Sequence, residues 1–428
     1  MKSKYNVLKN ISILIRFLSL FLSNNLFCME YQLASGGYDG NIKIWQQRRE
    51  KWIHTQTLSE PSKDCESGLW TLCSTSCGKY FFSGSADHTI KIWELQNNKW
   101  KYIQALDKSS NGHKGAVLAL CLSSCGTNLF SGSLDETIKV WAREEKHWKC
   151  NQTLDKSVEE HQWGIYSLCL SPCDTYLFSG SWNNTIKMWS KKGNHPSSTN
   201  AKASVDRSPK ADFTLSKAEG SGRWKCIQTF DDHEKNSTLY TIFSLCISPC
   251  GNTLFSGCKS IKVWCQKKSE QSNKWICVDK SEEKEFADNL SFSLCLSHDG
   301  NYLFAGYKEI QILAAKESIR TPIQTINKSS TKDSVWSLSA SPCGNYLFSG
   351  STENTIKIWK QVGQKGANKH GKWKHIQTLD KSVNGHNHTV TSLCLIKMKN
   401  KKKKRFELLK QKTNLLGVMN FWTKTKEK

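Results

Sequence analysis

An all-β fold follows from three features of this 428-residue sequence. First, one eleven-residue block recurs. Ser-Gly-Ser-Ala-Asp-His-Thr-Ile-Lys-Ile-Trp at 83–93 returns as Ser-Gly-Ser-Leu-Asp-Glu-Thr-Ile-Lys-Val-Trp at 131–141, and again in varied form at 179–189 and 349–359. Second, the spacing is regular. The unit closes at Trp45, Trp93, Trp141, Trp189, Trp264, Leu313 and Trp359, in steps of 48, 48, 48, 75, 49 and 46 residues. Third, each period holds four short runs with strand patterning. Four strands in a period of 40–50 residues is the arithmetic of a β-propeller blade, a radial array of four-stranded sheets.

The elements can be justified within one period. Residues 168–170 form an apolar run ended by the turn Ser-Pro-Cys-Asp, and 176–179 form a second run. Residues 185–189 alternate polar and apolar after an Asn-Asn turn, and 224–229 supply the fourth. Short runs bounded by turn residues at even spacing read as strands. The long step places the surplus in 191–222, which is rich in Ser and Lys and poor in large apolar residues. It reads as a disordered insertion at the bottom, between third and fourth strands.

These units resemble WD40 repeats over about residues 31–396, so the resemblance implies a WD40-type β-propeller. There are departures. No closing Trp is followed by Asp, and the units ending at Trp264 and Leu313 lack two residues before the third strand. The resemblance also implies a hydrogen-bonded network of His, Ser/Thr, Asp and Trp within each blade. Carried over, it falls on His113, Asp135 and Trp141, with Ser131 or Ser133 as the hydroxyl. In the next blade it falls on His161 and Trp189, where Asn183 replaces the Asp. No comparable His precedes the strands at Trp70 or Trp336. A His–Asp pair on a repeated scaffold motif, without a recognisable nucleophile motif, reads as structural rather than catalytic.

Closure follows from the ends. The chain opens with only later strands, at 33–35, 41–45 and 52–57, and finishes with only a first strand, at 390–396. Joined, these complete one blade, and six internal blades bring the count to seven. His386, Asp39 and Trp45 then restore the network across the seam. A rival first strand at 19–23 brings no His and lies four residues too far from Ser35.

Outside residues 29–396 the composition changes. Residues 397–428 hold twelve Lys/Arg against two Glu, and 1–28 hold four basic residues and no acid, leaving +10 of the total +24 on the body. Residues 11–22 resemble the apolar region of a signal peptide, but Arg16 interrupts them and no small-residue cleavage pattern follows. Met29 is an alternative start. No stretch reaches 18 consecutive apolar residues, which excludes a multi-pass membrane protein. Seven Pro, 26 Gly and 11% aromatic residues exclude collagen and wholesale disorder. Eighteen Cys recur at fixed repeat positions, as in Ser-Leu-Cys-Leu-Ser-Pro-Cys at 167–173, so they read as small core or turn residues in a reducing compartment.

Two aromatic series remain. Trp70, Tyr166, Phe243, Phe292 and Trp336 share one column near the start of the inner strands with Leu118 and Thr391. Tyr38 and Trp182 stand in turns on the same, top face. Aromatic anchors of this kind supply binding hot spots. Inter-blade packing is the competing reading, stronger for the column than for Trp182. The second series, Trp52, Trp100, Trp148, Trp224, Trp275 and Trp373, opens the outer strands beside Lys or Arg. It reads either as edge packing with snorkelling lysines or as a nucleic-acid rim.

The sequence therefore predicts a monomeric, non-catalytic, cytoplasmic scaffold that binds one or more proteins, with no cofactor, no metal and no integral membrane role. An RNA- or ribonucleoprotein-associated propeller is the alternative. Residues 397–405 offer a nuclear address, and a working signal at 1–28 would make the protein secreted or membrane-anchored.

Overall fold

The computed structural model describes residues 31–59, 68–145, 147–154, 163–191, 222–230, 241–269, 272–280, 293–315, 322–327, 333–363 and 371–398. The segment 1–28, His161, Phe292, almost all of the insertion at 191–222 and the tail beyond 398 lie outside them. Leu33–Ile396 form one compact unit.

Seven four-stranded antiparallel sheets make up this unit, so the propeller has seven blades. Blade 3 is representative, with Val117–Leu122, Asn128–Ser133, Ile138–Glu144 and His147–Leu154 running in order from the innermost strand outward. In the first blade the innermost strand is Val390–Lys397, from the C-terminal part of the chain. Tyr31–Gly37, Asn41–Arg48 and Lys51–Ser59 lie outward of it in that order. The predicted closure is therefore the one the molecule uses, with strands a few residues longer than the sequence pattern indicated. Blades 5 and 6 have shortened inner strands, Ser244–Ile247 and Ser293–Leu296, of four residues each. Blade 6 ends in a three-residue outer strand, Gln324–Ile326.

The core lies between blades rather than within them. Seven apolar clusters fill the seven junctions. At the blade 2–3 junction Phe82, Ile90, Ile92 and Leu106 pack against Val117, Leu120, Leu129, Trp141 and Trp148. Each sheet is covered on both faces by its neighbours, and this explains the fully buried second strand Tyr80–Ser85. The repeated Ser-Gly-Ser has a steric cause as well. A Cβ on Gly132 would lie 2.5 Å from Ile165 Cγ2 in the next blade, and one on Gly350 would lie 2.6 Å from Val390 Cγ1 across the seam. Only glycine allows so close an approach.

The outer tryptophans have the same packing role. All six are at most 4% exposed. Trp148 stands edge-on to Phe82 of the preceding blade at 5.0 Å, Trp224 to Phe130 at 5.2 Å, and Trp52 to Phe348 across the seam at 5.0 Å. A glutamine four residues on, which the sequence pattern did not reveal, completes the joint. Gln104 Nε2 donates to Trp148 O at 3.0 Å, and Trp148 N donates back to Gln104 Oε1 at 3.0 Å. The same two-way clamp joins Gln56 to Trp100, Gln152 to Trp224, Gln228 to Trp275, Gln324 to Trp373 and Gln377 to Trp52. Blade 5 carries Asp279 at the glutamine position. The clamp satisfies main-chain groups on an outer edge strand that would otherwise face solvent.

The cysteines divide by position. Those on the inner strands, such as Cys169 and Cys394, pack against the junction cores, and burial pushes their thiols up to about 12 and about 11. Those in the turns, Cys77, Cys125, Cys173, Cys250 and Cys343, are exposed, and every cysteine among the described residues is free.

Candidate functional site

Two constellations were legible as candidates, and the structure separates them by burial. The first begins with the indole of Trp141, whose Nε1 donates to Ser131 Oγ at 2.8 Å. Ser131 Oγ lies 2.7 Å from His113 Nε2, and His113 Nδ1 lies 3.0 Å from Asp135 Oδ2. The consistent assignment has the serine hydroxyl donating to Nε2 and Nδ1–H donating to the carboxylate. Ser131, not Ser133, is thus the hydroxyl of the network. Ser133 instead donates to Gly115 O and accepts from Asp135 N.

The Ser–His–Asp order matches that of a hydrolytic triad, but the setting does not. Ser131 is 0% and His113 1% exposed, and the serine oxygen already accepts the indole N–H. Both groups are closed to solvent, and their hydrogen bonds form a strut tying the chain before the inner strand to the second and third strands.

Across the seam the same geometry joins opposite ends of the chain. Trp45 Nε1 donates to Ser35 Oγ at 2.9 Å, and Ser35 Oγ lies 2.8 Å from His386 Nε2. His386 Nδ1 lies 3.1 Å from Asp39 Oδ1, while Asn387 N donates to Asp39 Oδ2 at 2.9 Å. In the other blades the described residues show only parts of the set. Trp189 donates to Ser179, and Asn183 accepts from Thr185.

The electrostatics give these struts a pH dependence. Burial alone would raise the Asp39 carboxyl, but the His386 ring and the Asn387 and Asn41 N–H groups outweigh it and hold it at about 2. Asp135 is held well below the usual range by His113, Thr137 and Lys114 N–H, again against burial. Burial pushes the His113 imidazole below its ordinary value, against the pull of Asp135. The signs then agree. Below pH ~6.5 the unfolded chain binds a proton at His113 that the folded chain refuses, and below pH ~4 it protonates carboxylates that the folded chain keeps ionised. Stability should therefore fall as pH drops from 7 to 5, and again from 4 toward 2. In urea titrations at pH 7.5, 6.5 and 5.5, His113→Gln should be less stable at pH 7.5 but show a shallower slope. An unchanged slope would mean that another group titrates.

The second constellation is open. Trp70, Leu118, Tyr166, Trp182, Phe243, Ser244, Ser293, Trp336 and Thr391 line a cavity of about 330 Å³ at the top of the inner strands. Every sequence-predicted top-face residue within the described part either lines it or touches its lining. Trp70 sits 6.1 Å from Trp336, and Tyr38 stands edge-on to Trp70 at 5.9 Å. On the other side Tyr166 lies 5.5 Å from Trp182 and 5.6 Å from Phe243. Trp70, Leu118, Tyr166, Phe243 and Trp336 of the column are half-buried, whereas Trp182 is 43% and Tyr38 44% exposed. No charged side chain lines the cavity.

Two further residues extend this apolar surface. Trp163 is 47% and Leu134 51% exposed. They frame Gly164, where a Cβ would meet Leu134 Cδ1 at 2.9 Å, and Gly164 O accepts from Trp182 N. A Trp two residues before an inner strand was a readable signal. Leu134 gave none, because a turn residue's neighbours come from another blade.

The WD40 family model (WD domain, G-beta repeat) matches residues 15–46, 54–94, 104–142, 148–190, 224–265 and 320–360, more than half of the chain. The chain belongs to the WD40-repeat family. Each of the later stretches begins in or just before the outer strand of one blade and ends with the third strand of the next. The WD40 repeat and the blade are thus staggered by one strand, which is why the two chain ends must complement each other. No match covers the unit closed by Leu313, the one that lacks its Trp. The first match opens at residue 15, whereas the structure takes the inner strand of that blade from Val390–Lys397. No curated protein matches the chain.

Proposed function

We propose that this WD40 propeller is a non-catalytic, cytoplasmic scaffold that binds a partner protein through the aromatic mouth on its top face, as a monomer. The observation that carries this reading is Trp182. An indole 43% exposed in a tight turn contributes little to the core, yet it lines an uncharged cavity large enough for a bulky side chain. Such anchors account for most of the energy at interfaces, and the surrounding half-buried rings exclude water from them. Free thiols throughout the described residues favour a reducing compartment. The RNA alternative loses its aromatic half, because six tryptophans at most 4% exposed cannot stack on bases.

Trp182→Ala tests the reading. Affinity purification of the wild-type protein from its own cells supplies the partner, and the variant is then compared in both affinity and melting. Loss of a hot spot costs about 2 kcal/mol, or roughly 30-fold in affinity. The melting temperature should move by little. A large fall in melting would make Trp182 structural, and unchanged binding would remove the top-face assignment.

A further inference from the structure

The two ends of the blades differ in charge. The turns between second and third strands, on the top face, carry Asp39, Asp87, Asp135, Glu136, Glu309 and Glu353 against Lys259 and Lys308. The hairpins between third and fourth strands lie at the opposite end. There an exposed basic residue directly precedes the buried outer Trp in five of six blades: Lys51, Lys99, Arg223, Lys274 and Lys372. An exposed lysine comes directly after it in four. Acids are present as well, the exposed Glu145 of the blade 3 hairpin among them, and three are matched. Glu94 binds Lys79 at 3.0 Å, Glu144 binds Lys149 at 2.7 Å and Glu50 lies 3.5 Å from Lys360. The described hairpins between third and fourth strands thus carry a surplus of positive charge that the turns between second and third strands lack.

The chain also leaves the fold at this end. Strand Tyr31–Gly37 begins there and Val390–Lys397 finishes there. After this last strand the sequence continues as Lys-Asn-Lys-Lys-Lys-Lys-Arg at 399–405, then a stretch containing Phe406, Leu408, Leu409 and Trp422. Ahead of Tyr31 stand Lys2, Lys4 and Lys9 with the apolar run at 11–22.

We propose that this basic end of the propeller docks on an anionic lipid surface. The inference is independent of the partner site on the opposite face. Positive residues near an acidic leaflet add attraction individually, and basic segments coupled to Phe, Leu and Trp insert at the interface. A nucleic acid would match the charge, but it would make no use of the apolar residues that the sequence carries at 11–22 and 406–422, and the face offers no exposed indole for bases among the described residues.

Vesicle flotation with the full chain tests the proposal, using phosphatidylcholine vesicles with and without about 30% phosphatidylserine at roughly 50, 150 and 500 mM salt, which spans strong to weak screening. The protein should float only with the acidic vesicles, and salt should release it. Lys99→Glu, Lys101→Glu, Lys372→Glu and Lys374→Glu combined should weaken partitioning more than about 100-fold, from about fivefold per lysine. Truncation after Lys397 should weaken it further, and Trp182→Ala should leave it unchanged. If the fourfold variant does not fold, Arg223→Glu, Lys225→Glu and Lys274→Glu together repeat the test on other blades. Equal binding to neutral vesicles would overturn the proposal. So would wild-type binding by a folded charge-reversed protein, or binding of a short RNA duplex without binding to acidic vesicles.

Discussion

Removing residues 385–428 should abolish cooperative unfolding, whereas truncation after Lys397 should leave it intact. The shorter chain lacks His386 and the strand Val390–Lys397. It thereby loses the Asp39–His386–Ser35–Trp45 strut and the inner partner of Tyr31–Gly37. Val390 and Leu393 leave the blade 7–1 core, and Ile396 leaves the blade 1–2 core. Each buried aliphatic side chain is worth about 2 kcal/mol, against a typical total stability of about 5–15 kcal/mol. The unpaired edge strand then invites intermolecular pairing. Urea unfolding followed by Trp fluorescence, with gel filtration for aggregation, reads both effects. A chain ending at residue 384 that stays monomeric and unfolds at the full-length midpoint would contradict closure by this strand.

Trp148→Ala should cost about 3–5 kcal/mol, the range for emptying a large aromatic site in a packed core. The ring is 1% exposed, stands edge-on to Phe82 and belongs to the blade 2–3 cluster. Its neighbour offers a control. Gln104 binds only the main chain of Trp148, so Gln104→Ala removes the clamp while leaving the ring in place. Two hydrogen bonds at about 1 kcal/mol each predict a loss near 2 kcal/mol. Because Trp148→Ala keeps the main chain that Gln104 binds, its loss reads the ring alone. A negligible loss for Trp148→Ala would refute the inter-blade packing role.

A sequence with a fixed period dictates much of this molecule, because each repeat meets its neighbours through the same side chains. Ser131, Trp141 and the glycine between Ser131 and Ser133 do the same work in their blade as Ser349, Trp359 and Gly350 do in another, so reading one blade reads most of the ring. The number of blades and the origin of the closing strand were legible for the same reason. The ends held complementary fragments of one unit, and His386 carried the residue that the first blade lacked.

What the repeat could not disclose is whatever depends on distance between different blades. The Gln–Trp clamp joins residues 44 apart in some blades and 72 apart in another, and Gln377 reaches Trp52 across the whole chain. Nothing local in a W-x-x-x-Q spacing says that the two belong to different joints. The same holds at the top face. Sequence placed Trp70 and Trp336 in one column, but only ring closure brings them to 6.1 Å and sets Leu134 beside Gly164 and Trp163. Burial, finally, decided between readings that composition left open. Tryptophans next to lysines look alike in sequence whether they await a base or fill a core. The blade-to-blade packing puts the six outer indoles inside and leaves Trp182 in solvent.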